Sequence, residues 1–184
     1  MTQSNVSNNN FSSNQNLNPK IYVACLASYN SGILFGSWVD ADQDQDDIFD
    51  DIQHMLADSS IPNAEEYAIH GYSDFGSLSL SENESLSTVH EMALFIKEHG
   101  ELGMELIGYL GDLESAQDAL ENNYHGQHDS ELSYAIELFD DCYIHDVPEN
   151  IRYYIDYEAF RRDLFMTDYY SIKVEYETHI FSIH

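Results

Sequence analysis

The hydrophobic pattern divides the chain into three stretches of different period. KIYVACLASY, Lys20 to Tyr29, is rich in β-branched and aromatic residues and predicts a strand. NSG follows as a turn signal, and ILFGSWVD, Ile33 to Asp40, predicts a second strand, so the two form a hairpin. From Asp46 onward, Ile48, Ile52, Met55 and Leu56 recur at helical spacing. This helix ends near Asp58, with Pro62 beyond it. EEYAIHGY, Glu65 to Tyr72, predicts a third strand. The first module is therefore a ββαβ unit, three strands covered by one helix.

The middle of the chain is helical, from about Ser85 to Asn123. In SLSTVHEMALFIKEHG, Leu86, Val89, Ala93, Leu94 and Ile96 share a helical face, and Gly100 is placed as a C-cap. ELGMELIGYLG and LESAQDALENN predict two more short helices. The last third is mixed. DSELSYAIELFDDC predicts a helix with Leu132, Ala135, Ile136 and Phe139 spaced for burial. PENIRYYIDYEAFRRDLF predicts another, opened by Pro148. YSIKVEYETHIFSIH predicts two strands around a turn near Glu177. The reading is an α+β chain of three small modules, 20–76, 77–125 and 126–184, behind a polar arm, 1–19. No internal repeat is visible. Each module is too small to bury much surface alone, so the modules must stack on one another or on a partner chain.

Composition changes this picture in one respect. With 184 residues, 43% apolar and 13% aromatic, the chain should fold. Yet it carries 34 acidic residues against six basic ones, a formal charge of −28. That excludes ordinary nucleic-acid binding and disfavours anionic membrane surfaces. The natural partner is a basic surface or a cation. Two cysteines, Cys25 and Cys142, are too few for a disulfide framework and fit a reducing cytoplasm. The Asn- and Ser-rich start has no basic or apolar run and reads as a disordered arm, not a signal peptide. No apolar stretch approaches the ~20 residues needed to span a bilayer.

The acidity is densest in DADQDQDDIFDD, Asp40 to Asp51, which contains no Lys or Arg. One reading is an EF-hand-like calcium loop. Asp40, Asp42, Asp44 and Asp46 match its alternating ligand positions, and Asp51 falls at its last. Against it, Gln45 stands where the loop needs Gly, Asp47 stands where an apolar residue is usual, and a strand precedes the loop. A second reading is a solvated helix face, extended to the whole surface in a halophilic protein. The third is imitation of DNA. A charge of −28 equals that of about 48 Å of duplex, ~14 base pairs. An elongated string of modules would lay such charge along a rod. Carboxylates on successive helical turns lie about 5.4 Å apart, the scale of backbone phosphates. Asp46, Asp47, Asp50 and Asp51 share such a face, opposite Ile48, Ile52 and Leu56.

Two further clusters invite chemistry. His125, His128, Cys142 and His145 form H-x2-H and C-x2-H pairs that could ligate zinc, although the segment between them reads as a plain amphipathic helix. Arg152, Arg161 and Arg162 are placed on one helix, paired with Asp156, Glu158 and Asp163 or with a second subunit. No phosphate-binding glycine loop, G-x-S-x-G elbow or H-E-x-x-H motif occurs.

Three stretches resemble the ArdA antirestriction family. KIYVACLASYNSGILFGSWVD resembles its opening strand, Y-N-x-G turn and G-x-W strand. EEYAIHGYSDF resembles its E-E-Y-A-I-H-D-Y segment, with Gly71 where Asp is often found. VPENIRYYIDYEAFRRDL resembles its C-terminal Y-I-D-Y-x-A-x-x-R-D-L motif, with Arg161 where Gly is common. The resemblance implies an elongated, dimeric, three-domain DNA mimic with no catalytic residues, metal or cofactor. It would occupy the DNA-binding groove of type I restriction–modification enzymes, at their methyltransferase core, and protect incoming DNA of plasmids, conjugative transposons and phages. The mimic surface expected from this is Asp40, Asp42, Asp44, Asp46, Asp47, Asp50, Asp51, Asp58, Glu65, Glu66, Asp74, Glu82, Glu84, Glu91, Glu98, Glu101, Asp112, Glu114, Asp118 and Glu121. The dimer contact, by the same analogy, lies near Tyr143, Ile144, Val147, Ile151 and Tyr154.

Overall fold

The computed structural model describes residues 17–183. Nearly all of the expected polar arm lies outside the described residues. The architecture is α+β, with two three-stranded antiparallel sheets and seven α-helices among the described residues. Two compact units are distinguished, Met1–Met104 and Glu105–His184. The division falls inside the helical segment expected over 77–125.

In the first unit, β1 (Lys20–Cys25) is the central strand, antiparallel to β2 (Gly36–Asp40) on one side and β3 (Tyr67–Ser73) on the other. Its inward residues Ile21 and Val23 are fully buried. Helix α2 (Gln45–Ala57) adds Ile48, Ile52, Met55 and Leu56 to the same core. The ββαβ unit expected from the sequence is present, but its first strand is shorter. Leu26–Asn30 is a helical turn, α1, instead of strand. The segment closes on itself: Ser31 and Ile33 both donate their backbone N–H to the Ser28 carbonyl, at 3.0 and 2.9 Å, and Gly32 stands at φ 76. Ser28 is buried with its hydroxyl 2.9 Å from that of Ser59. The polar groups of this apolar-looking stretch are thus satisfied locally, and the ladder resumes only at Gly36.

Helix α3 (Leu86–Leu110) is interrupted at Gly100, whose φ of 61 and ψ of −142 are not helical. The glycine ends the first helical piece as expected, and the second follows without a loop. Val89, Ala93 and Ile96 are buried, whereas Leu94 is 44% exposed. Leu94 lies about 100° around the helix from Ala93, off the stripe that steps of four and three residues trace. Phe95 is buried instead, its ring 4.5 Å from that of His99.

In the second unit, α4 (Leu113–Asn122) leads into β4 (Tyr124–His128), α5 (Glu131–Cys142), a 3-10 turn (Ile144–Asp146), α6 (Glu149–Arg152), α7 (Tyr157–Thr167), β5 (Tyr169–Val174) and β6 (Glu177–Ser182). The sheet order is β4-β6-β5, with Thr178, His179, Ile180 and Phe181 of the central strand all buried. Strand β4 is not visible in the sequence. YHGQH has no β-branched residue, and it is a strand because β6 supplies a ladder, from Tyr124↔Phe181 to His128↔Thr178. The single helix expected after Pro148 is two. The Asp156 carboxylate accepts the Ala159 N–H at 3.0 Å and so caps a new helix, α7. Arg152 consequently lies on α6, apart from Arg161 and Arg162. The closing hairpin turns at Glu175 and Tyr176, with Val174 opposite Glu177. Helices α5 and α7 pack through Phe139, whose ring lies 5.1 Å from Phe160 and 5.5 Å from Tyr157. No helix among the described residues is long and apolar enough to cross a membrane.

Two glycines separate backbone need from tolerance. A Cβ on Gly36 would stand 2.3 Å from the Val23 carbonyl oxygen and 2.9 Å from Ala24 Cα, both backbone atoms of β1. One on Gly71 would meet only Tyr22 Cβ at 3.6 Å and Trp38 at 3.8 Å. Gly36→Ala should therefore destabilise the protein by about 1–3 kcal/mol, while Gly71→Ala should be neutral or slightly stabilising. Urea denaturation followed by circular dichroism measures both, and equal midpoints for the two variants would contradict this account of β1–β2 packing.

Candidate acidic interaction surface

The carboxylates are displayed by the same elements that bury the apolar core. In α2, the face opposite Ile48, Ile52 and Leu56 carries Asp46, Asp47, Asp50 and Asp51, all exposed, with Asp58 just past the helix end. Asp46 and Asp47 sit in the first turn, where the helix dipole favours them. Asp50 and Asp51 have no such support and stand one turn from Asp46 and Asp47, a repulsive spacing. Glu65, Glu66, Asp74 and Glu82 are exposed around β3 and the loop after it, and Glu84 is half-buried. Along α3, Glu91 and Glu98 are exposed and Glu101 is half-buried.

In the second unit, Asp112 caps α4: its carboxylate accepts the Ser115 backbone N–H at 2.8 Å and the Ser115 hydroxyl at 2.8 Å. The backbone hydrogen bond in particular holds its pKa below the ordinary carboxylate value. Glu114, Asp118 and Glu121 follow along the helix, all exposed. Asp118 accepts hydrogen bonds from the side-chain amides of Asn122 and Asn123, at 2.8 and 3.3 Å. The exposed acid does not stop at Glu121. Asp129, Asp140, Asp141, Asp146, Glu149, Asp163, Asp168 and Glu175 are also exposed. These residues were as plain in the sequence as the others, but lay outside the densest run. No Asp or Glu of the chain is buried. The charge is evenly shared: 16 acidic and two basic residues fall in the first unit, 18 and four in the second, so each carries −14.

The calcium-loop expectation fails on backbone geometry. Helix α2 begins at Gln45, so half of the would-be loop is already helical and cannot wrap a cation. Asp40 instead pairs with Lys20 at 2.7 Å, Asp42 pairs with Lys97, and Asp51 accepts from Gln43 at 2.8 Å. The zinc expectation fails likewise. His125 and His128 lie on β4, with His128 Nδ1 3.4 Å from Glu137, while Cys142, the last residue of α5, and His145, in the 3-10 turn after it, are both exposed. Among the described residues, no group of three or more His, Cys, Asp or Glu is arranged to hold a metal.

The arginines are engaged within the chain. Arg161 pairs with Glu131 at 2.9 Å and Glu158 at 3.1 Å, Arg162 pairs with Asp163, and Arg152 Nε donates to the Val147 carbonyl at 2.9 Å. Nearby, Tyr143 and Ile151 are half exposed, Ile144 and Val147 are partly covered, and Tyr153 and Tyr154 are 92% and 80% exposed. Tyr143 also packs on Phe139 and Phe160.

A model of the family described as antirestriction protein (ArdA) matches residues 21–178. The chain belongs to the ArdA antirestriction family. A search of curated proteins gave no significant match. The ArdA match spans both compact units, including every acidic element from β2 to α7 and the exposed tyrosines after α5. Sequence reasoning overlooked the exposed aromatic residues set among these carboxylates in this ArdA chain, Trp38, Phe49 and Tyr109, at 54%, 50% and 60% exposure. An apolar residue among acids reads as core in a sequence, and only the fold turns it outward.

The repulsive spacing on α2 makes a measurable prediction. Asp50→Asn removes the contact with Asp46 and should raise stability by about 0.2–0.5 kcal/mol at low salt. The gain should shrink as ionic strength rises toward 1 M. Thermal unfolding across a salt series tests this, and a destabilised variant at low salt would refute it.

Proposed function

We propose that this ArdA protein is a non-enzymatic, cytoplasmic DNA mimic that occupies the DNA-binding groove of type I restriction–modification enzymes, at the methyltransferase core. The observation that carries the reading is that none of the 34 Asp and Glu residues is buried and most are exposed. A protein stores that much like charge on its surface at a cost in self-repulsion, which a basic partner relieves. Enzymes that bind DNA line their clefts with Lys and Arg. Carboxylates held on helices are already ordered, so little entropy is lost when they meet such a cleft. Because the ligand is charge and shape, the inhibition does not depend on the recognition sequence of the enzyme.

Competition follows directly. The protein should displace labelled duplex from a type I methyltransferase core, and the displacement should weaken as salt rises. Single neutralisations should matter little, since one exposed ion pair is worth only about 0–1 kcal/mol. Asp46→Asn should leave inhibition nearly unchanged, whereas neutralising Asp42, Asp44, Asp46, Asp47, Asp50 and Asp51 together should weaken it at least tenfold. Fluorescence anisotropy of the duplex reports both, and a ternary complex of enzyme, duplex and inhibitor at one cleft would remove the mimic reading.

The active form proposed is a homodimer through the segment from Tyr143 to Tyr154. The exposure of Tyr153 and Tyr154 in an otherwise acidic surface supports it, since exposed apolar patches commonly mark contacts between proteins. Two copies would double the mimicked charge and suit an enzyme that reads a two-part site. Ile151→Glu with Tyr154→Glu should give a folded monomer by light scattering and circular dichroism. Wild-type protein that is monomeric at micromolar concentration would eliminate the dimer.

A further inference from the structure

Three aromatic rings in the second unit form a ladder from core to surface. Phe181 on β6 is fully buried. Tyr170 on β5 stacks on it at 5.2 Å and 14°. Tyr109, near the end of α3, stacks on Tyr170 at 5.1 Å and 18° and is 60% exposed. The outermost rung opens into a cleft of about 770 Å³ whose lining includes Glu114, Asp118 and Glu121 of α4. Burial, with Tyr109 and Asp118 close by, pushes the Tyr170 hydroxyl up to about 12, so it stays a neutral ring at physiological pH.

This combination has a specific chemical complement. A planar stack ending in an exposed tyrosine face attracts a cation, and three carboxylates beside it repel anions. A guanidinium fits better than an ammonium, because it is flat, less strongly hydrated and able to stack while donating sideways to carboxylates. The chain does not supply one itself: Arg161, Arg162 and Arg152 are engaged by Glu131, Glu158, Asp163 and the Val147 carbonyl. We propose that the cleft beside Tyr109 receives an arginine side chain of the partner protein, stacked on the tyrosine and neutralised by Glu114, Asp118 and Glu121. The inference rests on the mimic reading and adds a fixed anchor to it. DNA binders hold arginines in their clefts for phosphates, and here one such arginine meets a carboxylate cluster with an aromatic floor that no phosphate backbone offers.

The test uses the full chain with Tyr109→Ala and Tyr109→Phe, each checked for fold by circular dichroism. N-acetyl-arginine amide should shift the Tyr109 and Tyr170 ring resonances of the wild type saturably, and the neutral isostere N-acetyl-citrulline amide should not. Tyr109→Ala should bind the arginine probe and the methyltransferase core about three- to tenfold more weakly, the range of a partly desolvated cation–π contact. Tyr109→Phe, which keeps the π face, should stay within about twofold of wild type. Equal shifts from the citrulline probe, or a Tyr109→Ala variant that binds the core as tightly as wild type, would overturn the arginine site and leave the mimic reading intact. A wild-type protein that does not bind the core at all would overturn the mimic reading, with the arginine-probe titration then deciding the cleft separately.

Discussion

Each compact unit carries a net charge of −14 and folds against its own repulsion. Burying an unpaired carboxylate would cost several kcal/mol, so most stay in water, and Asp42, whose side chain is only 11% exposed, is paired with Lys97. The apolar residues that oppose the repulsion have to be gathered into thin, continuous stripes. In the first unit these are Ile21 and Val23 of β1, Ile48 and Ile52 of α2, and Val89 and Ile96 of α3, all fully buried. In the second they are Ile180 and Phe181 of β6 with Leu106 and Ala135. The helices α2 and α4 are therefore two-faced, whereas the central strand β6 is buried on both faces.

The same constraint explains the use of the six basic residues. They do not form a cationic patch. Lys20 and Lys97 join the start of the acidic run, Asp40 and Asp42, to β1 and α3, while Arg161 ties Glu131 of α5 to Glu158 of α7. Glu131 also accepts from Ser171 of β5 at 2.9 Å. Three of the six cations, Lys20, Lys97 and Arg161, thus tie separate segments together through carboxylates, and the outer faces are left largely uncompensated. Those faces are the ones a basic cleft can neutralise.

Helix capping does the remaining local work. Ser130 and Ser133 form a reciprocal capping box at the start of α5, and Asp112 and Asp156 accept the exposed N–H groups of α4 and α7. Acidic residues at helix starts lower the cost of the charge, because the helix dipole and the open N–H groups both favour them. Part of the acidity is therefore structural at no loss to the surface it presents. The aromatic residues complete this division. Rings that cannot all be buried in two small cores are stacked outward, as in the series Phe181, Tyr170 and Tyr109.

Much of this was written in the linear pattern. The period of Ile48, Ile52, Met55 and Leu56 placed α2, the β-branched run around Val23 placed β1, and the motifs around Trp38, Tyr67 and Tyr154 carried the family. Exposure of the carboxylates also followed from their chemistry, since no low-dielectric site could hold so many. What the sequence could not decide depended on partners distant along the chain. β4 is a strand only because β6 pairs with it, and α1 turns because Ser28 finds Ser59. The metal-like spacings around Asp40 and His125 dissolved because spacing states distance along the chain, not the direction in which helices and strands point their ligands. Trp38 and Tyr109 face solvent for the same reason: which side of a strand or helix is buried is set by what packs against it, and that is a property of the tertiary structure alone.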